Sequence, residues 1–193
     1  PTTMAFNPLP DGAITWTFAQ GADGAPTGKI VVDFTGFDRE ASVYLDDRDA
    51  FSSFNIAPYI WGHETREGKT EISLRFTDAA NTTVTRLAAD GSVNPVFETL
   101  VVAVFRSIAT HLDQRGWLDR AIYYVTDEPP EEDTAGLKQI CTLIRKADPR
   151  LRTAITYDPA EHLSETQFGV DDYRDLQIWY NLVWFGFRAR QRF

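Results

Sequence analysis

Cysteine is almost missing from this chain. Cys141 stands alone among 193 residues, so no disulfide can form within it, and sulfur says nothing about compartment. Histidine is scarce as well: His63, His111 and His162 lie far apart with no ligand spacing, and no metal site is expected. "DDRD" at Asp46–Asp49 has Arg48 in its middle and lacks the glycine of a calcium loop. Positive charge is in deficit, with 19 Lys and Arg against 28 Asp and Glu and a net charge of −9. Nucleic acid and anionic membrane surfaces are therefore not expected partners, because both need clustered cations. Long apolar runs are lacking too; the longest, around Val101 to Phe105, falls far short of the roughly 20 residues of a bilayer span. There is no phosphate-binding glycine loop and no serine nucleophile elbow, so no cofactor is expected.

What is present fits one ordinary globular domain: 43% hydrophobic and 24% charged residues, with a high aromatic share of 13%. Aromatic side chains mostly fill cores, but they also line sugar-binding clefts. "AITWTF", a Gly/Pro loop and "KIVVDF" read as a hairpin. A short helix is expected from Asp38 to about Asp47, then a strand through "FSSFNIAP" ending near Pro58. Lys69 to Phe76 alternates as a strand, and the polar stretch "TDAANTTVTRLAADGS" reads as loop. Asn94-Pro95 opens the clearest helix, with Phe97, Leu100, Val101, Val104, Phe105, Ile108 and Leu112 at helical spacing until Gly116 stops it. "LDRAIYYVT" is a strand, followed by a helix over "EEDTAGLKQICTLIRKA" with acids in its first turn and Cys141 on its apolar face, and then strands in "LRTAIT" and "DLQIWYN". Strands alternating with helices imply an α/β fold with a parallel sheet, either doubly wound or closed as a barrel.

The segment "YYVTDEPPEEDT" ends a strand in two adjacent acids, Asp127 and Glu128, ahead of Pro129 and Pro130. Read from the residues alone, the acids either decorate an acidic, solvated helix start or sit at the mouth of a pocket. Glu128 precedes Pro129 and Pro129 precedes Pro130, so both are pushed toward extended backbone, and neighbouring side chains in extended chain diverge. Some twist at the strand end is needed to aim both into one cleft.

The run "HLDQRGWLDRAIYYVTDEP" resembles the catalytic domain of glycoside hydrolase family 123 and the related uncharacterised bacterial proteins that share it. "VDFTGFDREASVYLDD", "FNIAP" and "IRKADPRLRTAITYDP" extend the likeness over about Asp33 to Trp179. The resemblance implies a TIM-type (β/α)8 barrel with its chemistry at the C-terminal ends of strands. It also implies cleavage of terminal β-linked N-acetylgalactosamine, and thus a glycan partner carrying a 2-acetamido sugar. Adjacent acids suit substrate-assisted hydrolysis, in which the acetamido oxygen attacks the anomeric carbon and the enzyme supplies no nucleophile. By resemblance Asp127 orients the acetamido N–H and steadies its positive charge, and Glu128 is the general acid and base. An ionised Asp127 favours a protonated Glu128 by repulsion.

Further candidates for substrate binding are Tyr157, Trp179 and Trp61, at or just past expected strand ends, Asp33 ending "IVVD", and Asn55 within "FNIAP". Tyr157 is placed to hydrogen-bond the acetamido oxygen, and core packing is the competing role for each aromatic. Turn capping competes for Asn55, and helix capping or an ion pair for Asp33. Two other readings stay open: a non-catalytic carbohydrate-binding or scaffold domain, and a conventional two-carboxylate glycosidase whose second acid is Asp158 or lies elsewhere.

In this reading residues 1–32 form a hairpin and early strand, 33–180 carry β/α units, and 181–193 are an atypical basic, aromatic tail. About five barrel strands are expected, against eight in a closed barrel of about 250 residues. The start lacks an initiating Met, a basic n-region and an apolar h-region, so the chain reads as an incomplete, aggregation-prone fragment of a longer protein, and a secreted or periplasmic setting stays open.

Overall fold

The computed structural model describes residues 14–22, 26–47, 53–56, 61–66, 69–75, 83–126, 134–156 and 178–180. It is a mixed α/β structure with three sheets. The expected hairpin forms from β1 (Thr15–Gln20) and β2 (Pro26–Asp33), antiparallel with Trp16 opposite Val32 and Phe18 opposite Ile30. Helix α1 (Thr35–Ser42) follows, starting three residues earlier than the sequence pattern implied, and runs on as a π-helical turn, Val43–Asp47. Its start is fixed by Asp33, whose Oδ1 accepts the Thr35 N–H at 2.8 Å.

Strand β3 (Phe54–Asn55) has only two residues. Next come β4 (Trp61–Arg66), β5 (Lys69–Arg75) and β6 (Thr83–Thr85), an antiparallel sheet of their own. Two of these correct the sequence reading. Among the described residues the strand expected through "FSSFNIAP" is paired at Phe54–Asn55, and β6 lies inside the stretch read as loop. β4 has glycine and charge at every second place, and Thr-Val-Thr is too short to show a period, so neither carries the alternation that marks a half-buried strand.

Helix α2 (Pro95–Gln114) matches its pattern, and all seven apolar residues named for it are buried. Asn94 Oδ1 accepts from Val96 N at 3.0 Å, and Pro95 takes the first helical place. The helix ends in a paired reversal: Gly116 N–H donates to the Asp113 carbonyl and Trp117 N–H to that of Leu112, with Gly116 at φ +71°. That turn needs the left-handed region, which glycine enters without steric cost. By length and composition α2 could cross a membrane. Here it is an interior helix, packed against β2 on one flank and, after the chain returns, against helix α3 (Thr134–Ala147). Buried Val102 and Ala109 widen its apolar stripe to serve both neighbours.

A 3-10 turn, Leu118–Arg120, leads into β7 (Ala121–Thr126). After α3 come β8 (Arg152–Thr156) and β9 (Ile178–Tyr180). α3 buries Leu137, Ile140, Cys141 and Ile144 as its pattern requires. The described helix begins at Thr134; the acids expected in its first turn, Glu131, Glu132 and Asp133, lie outside the described residues.

The parallel sheet runs β3-β7-β8-β9. Among the described residues it has four parallel strands, and β5 belongs to the antiparallel sheet. Each parallel strand adds beside its predecessor, and the order does not reverse among the described residues. A doubly wound sheet reverses at a switch point.

Candidate active site

β7 is the central strand of interest, with β3 on one side and β8 on the other. Its side chains alternate between two faces. Ala121, Tyr123 and Val125 join the core shared with Phe54, Ile56 and α2, and the Tyr123 ring meets Phe105 edge-on at 4.8 Å. Ile122 and Tyr124 take the opposite face with Asn55, the register partner of Ile122. Ile122 is buried there outside the helix-side core, and Tyr124 is half-buried.

The strand starts are tied down at the N-terminal rim of the sheet. Trp117 Nε1 donates to Asp46 Oδ1 at 2.7 Å, and Arg115 lies 4.2 Å over the Trp117 ring while bonding Asp46 Oδ2 at 3.2 Å. Arg152 reaches back to the carbonyls of Asp119 and Ala121, at 2.7 and 3.2 Å.

At the C-terminal rim, Thr126 of β7 pairs with Ile155 of β8, which pairs with Trp179 of β9. These three residues, each at or one place before the end of its strand, form one row, with neighbours about 4.8 Å apart. The β7–β8 register slips between Tyr124 and Thr126, an irregularity of the kind that bends a strand and re-aims its side chains. Asn55 Oδ1 accepts the Tyr124 N–H at 3.0 Å. The connection from β3 to α2 opens at this same rim and carries the antiparallel sheet β4-β5-β6. There Asn94 Nδ2 bonds the Thr85 carbonyl at 3.0 Å, and Arg86 and Glu98 both bond Gln139 of α3.

Asp127 and Glu128 are the two residues after β7, and Tyr157 is the residue after β8; all three lie outside the described residues. Trp179 is the middle residue of β9 and Trp61 the first of β4, paired with Leu74. Asn55 belongs to the rim through Tyr124. Asp33 is placed elsewhere. Its neighbour Phe34 stacks at 3.9 Å on His111, in the last turn of α2, on the approach to the N-terminal end of β7. The hydroxyl and backbone N–H of Thr35 hold the Asp33 carboxyl below the ordinary carboxylate range, which fits the helix-capping alternative. Tyr124 escaped sequence reasoning. Its signal was the doublet in "AIYYVT", since alternation must send one tyrosine to each face. No cluster of His, Cys, Asp and Glu able to hold a metal occurs among the described residues.

The class of protein is thus an α/β domain whose parallel strands progress in one direction, with strand starts bonded to side chains and strand ends aligned at one rim. The sequence profile described as glycoside hydrolase 123, catalytic domain, matches residues 4–183, and the chain belongs to that family. The resemblance drawn from "GWLDRAIYYVTDEP" and its flanks is therefore correct. Among solved structures, a family 123 glycoside hydrolase from Clostridium perfringens, studied for glycolipid glycan hydrolysis, is 14% identical with a TM-score of 0.46. The match covers 80% of this chain and 27% of that one. No curated protein matches the chain.

Proposed function

We propose that this chain carries the catalytic acids of a glycoside hydrolase that removes terminal β-linked N-acetylgalactosamine with retention, through an oxazolinium intermediate. The observation that carries the reading is that Asp127 and Glu128 directly follow the C-terminal end of an interior parallel strand, where its register slips. Such strand ends are where α/β barrels keep their chemistry. The unreversed strand order supports a TIM-type barrel as the complete architecture.

In the first step the substrate's acetamido oxygen forms a bond to the anomeric carbon as the glycosidic bond breaks. Asp127 holds the acetamido N–H and balances its growing positive charge. Glu128 gives its proton to the departing oxygen. In the second step water attacks the anomeric carbon from the vacated side, Glu128 takes back a proton, and the acetamido group is released with β configuration restored. Tyr157 and Trp179 follow or occupy the adjoining strand ends, so they are proposed as sugar contacts, and Trp61 as a contact from the antiparallel sheet.

The test uses the full-length protein and an aryl β-N-acetylgalactosaminide. Glu128→Gln is expected to slow aryl release by about a hundredfold or more, the usual worth of general acid help. Near-wild-type release would end the assignment. A wild type that hydrolyses sugars with and without the acetamido group equally well would end substrate assistance.

A further inference from the structure

The bond between Asn55 and Tyr124 occupies a place where the backbone ladder would ordinarily continue. β3 pairs with β7 at Phe54–Ala121 and Asn55–Ile122, and Ile56 N–H donates to the Ile122 carbonyl at 2.8 Å. In a regular parallel ladder the next donor on β7, the Tyr124 N–H, goes to the Ile56 carbonyl. The ladder stops instead, and the Asn55 carboxamide takes the donor at 3.0 Å. A backbone N–H can only donate, so the carboxamide presents its oxygen. Asn55 itself is held firmly, because Phe54 and Ile56 on either side are both buried in the core. On its other edge Tyr124 pairs with Ala154, and past it the β7–β8 register slips before the chain reaches Asp127.

We propose that Asn55 is a positioning residue rather than a sugar ligand: its carboxamide oxygen anchors Tyr124, the last regularly paired residue of β7, and so sets where the strand end presents Asp127 and Glu128. The inference rests on the reading of those acids as catalytic. It does not ask Asn55 to touch substrate. Misplacing a reacting group by about 1 Å can cost a hundredfold in rate, so a single anchor three residues upstream has leverage.

The experiment compares wild type, Asn55→Ala and Asn55→Asp in the full-length protein, with kcat, KM and Tyr124 amide exchange as readouts. Asn55→Ala is expected to lower kcat about tenfold or more with KM little changed, and to speed Tyr124 exchange. Asn55→Asp keeps an acceptor oxygen in place and is expected to restore both most of the kcat and the slow exchange. A raised KM with unchanged kcat in Asn55→Ala would overturn the inference in favour of direct sugar binding. Lower thermal stability with unchanged kcat would overturn it in favour of a purely structural bond. Variants indistinguishable from wild type in kcat, with wild type active, would sink this inference alone. A wild type inactive on every N-acetyl-β-galactosaminide would sink the catalytic reading, and this inference with it.

Discussion

The two rims of the parallel sheet are built differently. At the N-terminal rim several side chains share each task. Trp117 is buried, bonded by Asp46 and covered by Arg115, while Arg120 bonds the Leu45 carbonyl and Arg152 spans the start of β7. Arg150 links Asp148 before β8 to Asp113 at the end of α2. At the C-terminal rim a side-chain carboxamide oxygen takes the Tyr124 N–H where the β3 ladder stops, and the strand slips register just past it. Redundant bonding at strand starts holds the sheet whatever follows, which leaves the strand ends free to depart from regular geometry. That division matches α/β folds in general, where one end of the strands serves stability and the other chemistry.

The sharpest way to break this comparison is at Trp117. It is 1% exposed and packs on Phe37, with ring centroids 6.1 Å apart, so Trp117→Ala leaves a large cavity and strips Asp46 and Arg115 of a common partner. A loss of about 3–5 kcal/mol is expected, read by chemical denaturation. If the rims divide as described, whatever Trp117→Ala protein stays folded keeps its KM. A variant of wild-type stability with altered kinetics would erase the distinction.

Legibility in the sequence follows the same division. α2 and α3 were plain because each buries one continuous face, and helical spacing records that directly. Gly116 was plain as a stop because only the left-handed region closes the turn to Trp117. The family was legible because "GWLDRAIYYVTDEP" joins that turn, the strand and the acids in one stretch. β4 and β6 were not, since an antiparallel sheet of short polar strands leaves no apolar alternation to read. Nor was the Asn55–Tyr124 bond, which joins residues 69 positions apart and depends on where a ladder happens to stop. Asp33 stayed open for a related reason: a carboxylate at the end of a strand looks the same in sequence whether it faces a site or bonds the start of the next helix.

A smaller change sharpens the comparison from the other rim. Asn94 caps α2, whose first turn begins on the C-terminal side, and its Nδ2 also ties the Thr85 carbonyl. Asn94→Ala is expected to cost about 1 kcal/mol, the usual worth of an N-cap. Because Asn94 anchors scaffold and not β7, kcat should hold at wild-type level in the surviving folded protein. A fall in kcat with stability intact would mean that the whole rim, and not the end of β7, positions the chemistry.

The smallest effect is expected from acid at the N-terminal rim. Asp148 accepts from the Arg150 backbone N–H at 2.9 Å and from its guanidinium at 2.9 and 3.1 Å. The guanidinium bonds, with the backbone bond and the nearby positive charge behind them, hold the Asp148 carboxyl below its ordinary 3.8, and the same bonds push Arg150 upward. A carboxyl depressed in the folded state binds its proton more readily when unfolded. Its contribution is therefore complete above the unfolded value and is lost as pH falls below 3.8 and on through the folded one. Arg150 is half-exposed, so solvent screening keeps the effect below that of Asn94→Ala. Asp148→Asn should lower stability slightly at pH 7 and flatten its decline on acidification, as read by urea melts across that range. A decline as steep as wild type would remove Asp148 from the bonds that make this rim redundant.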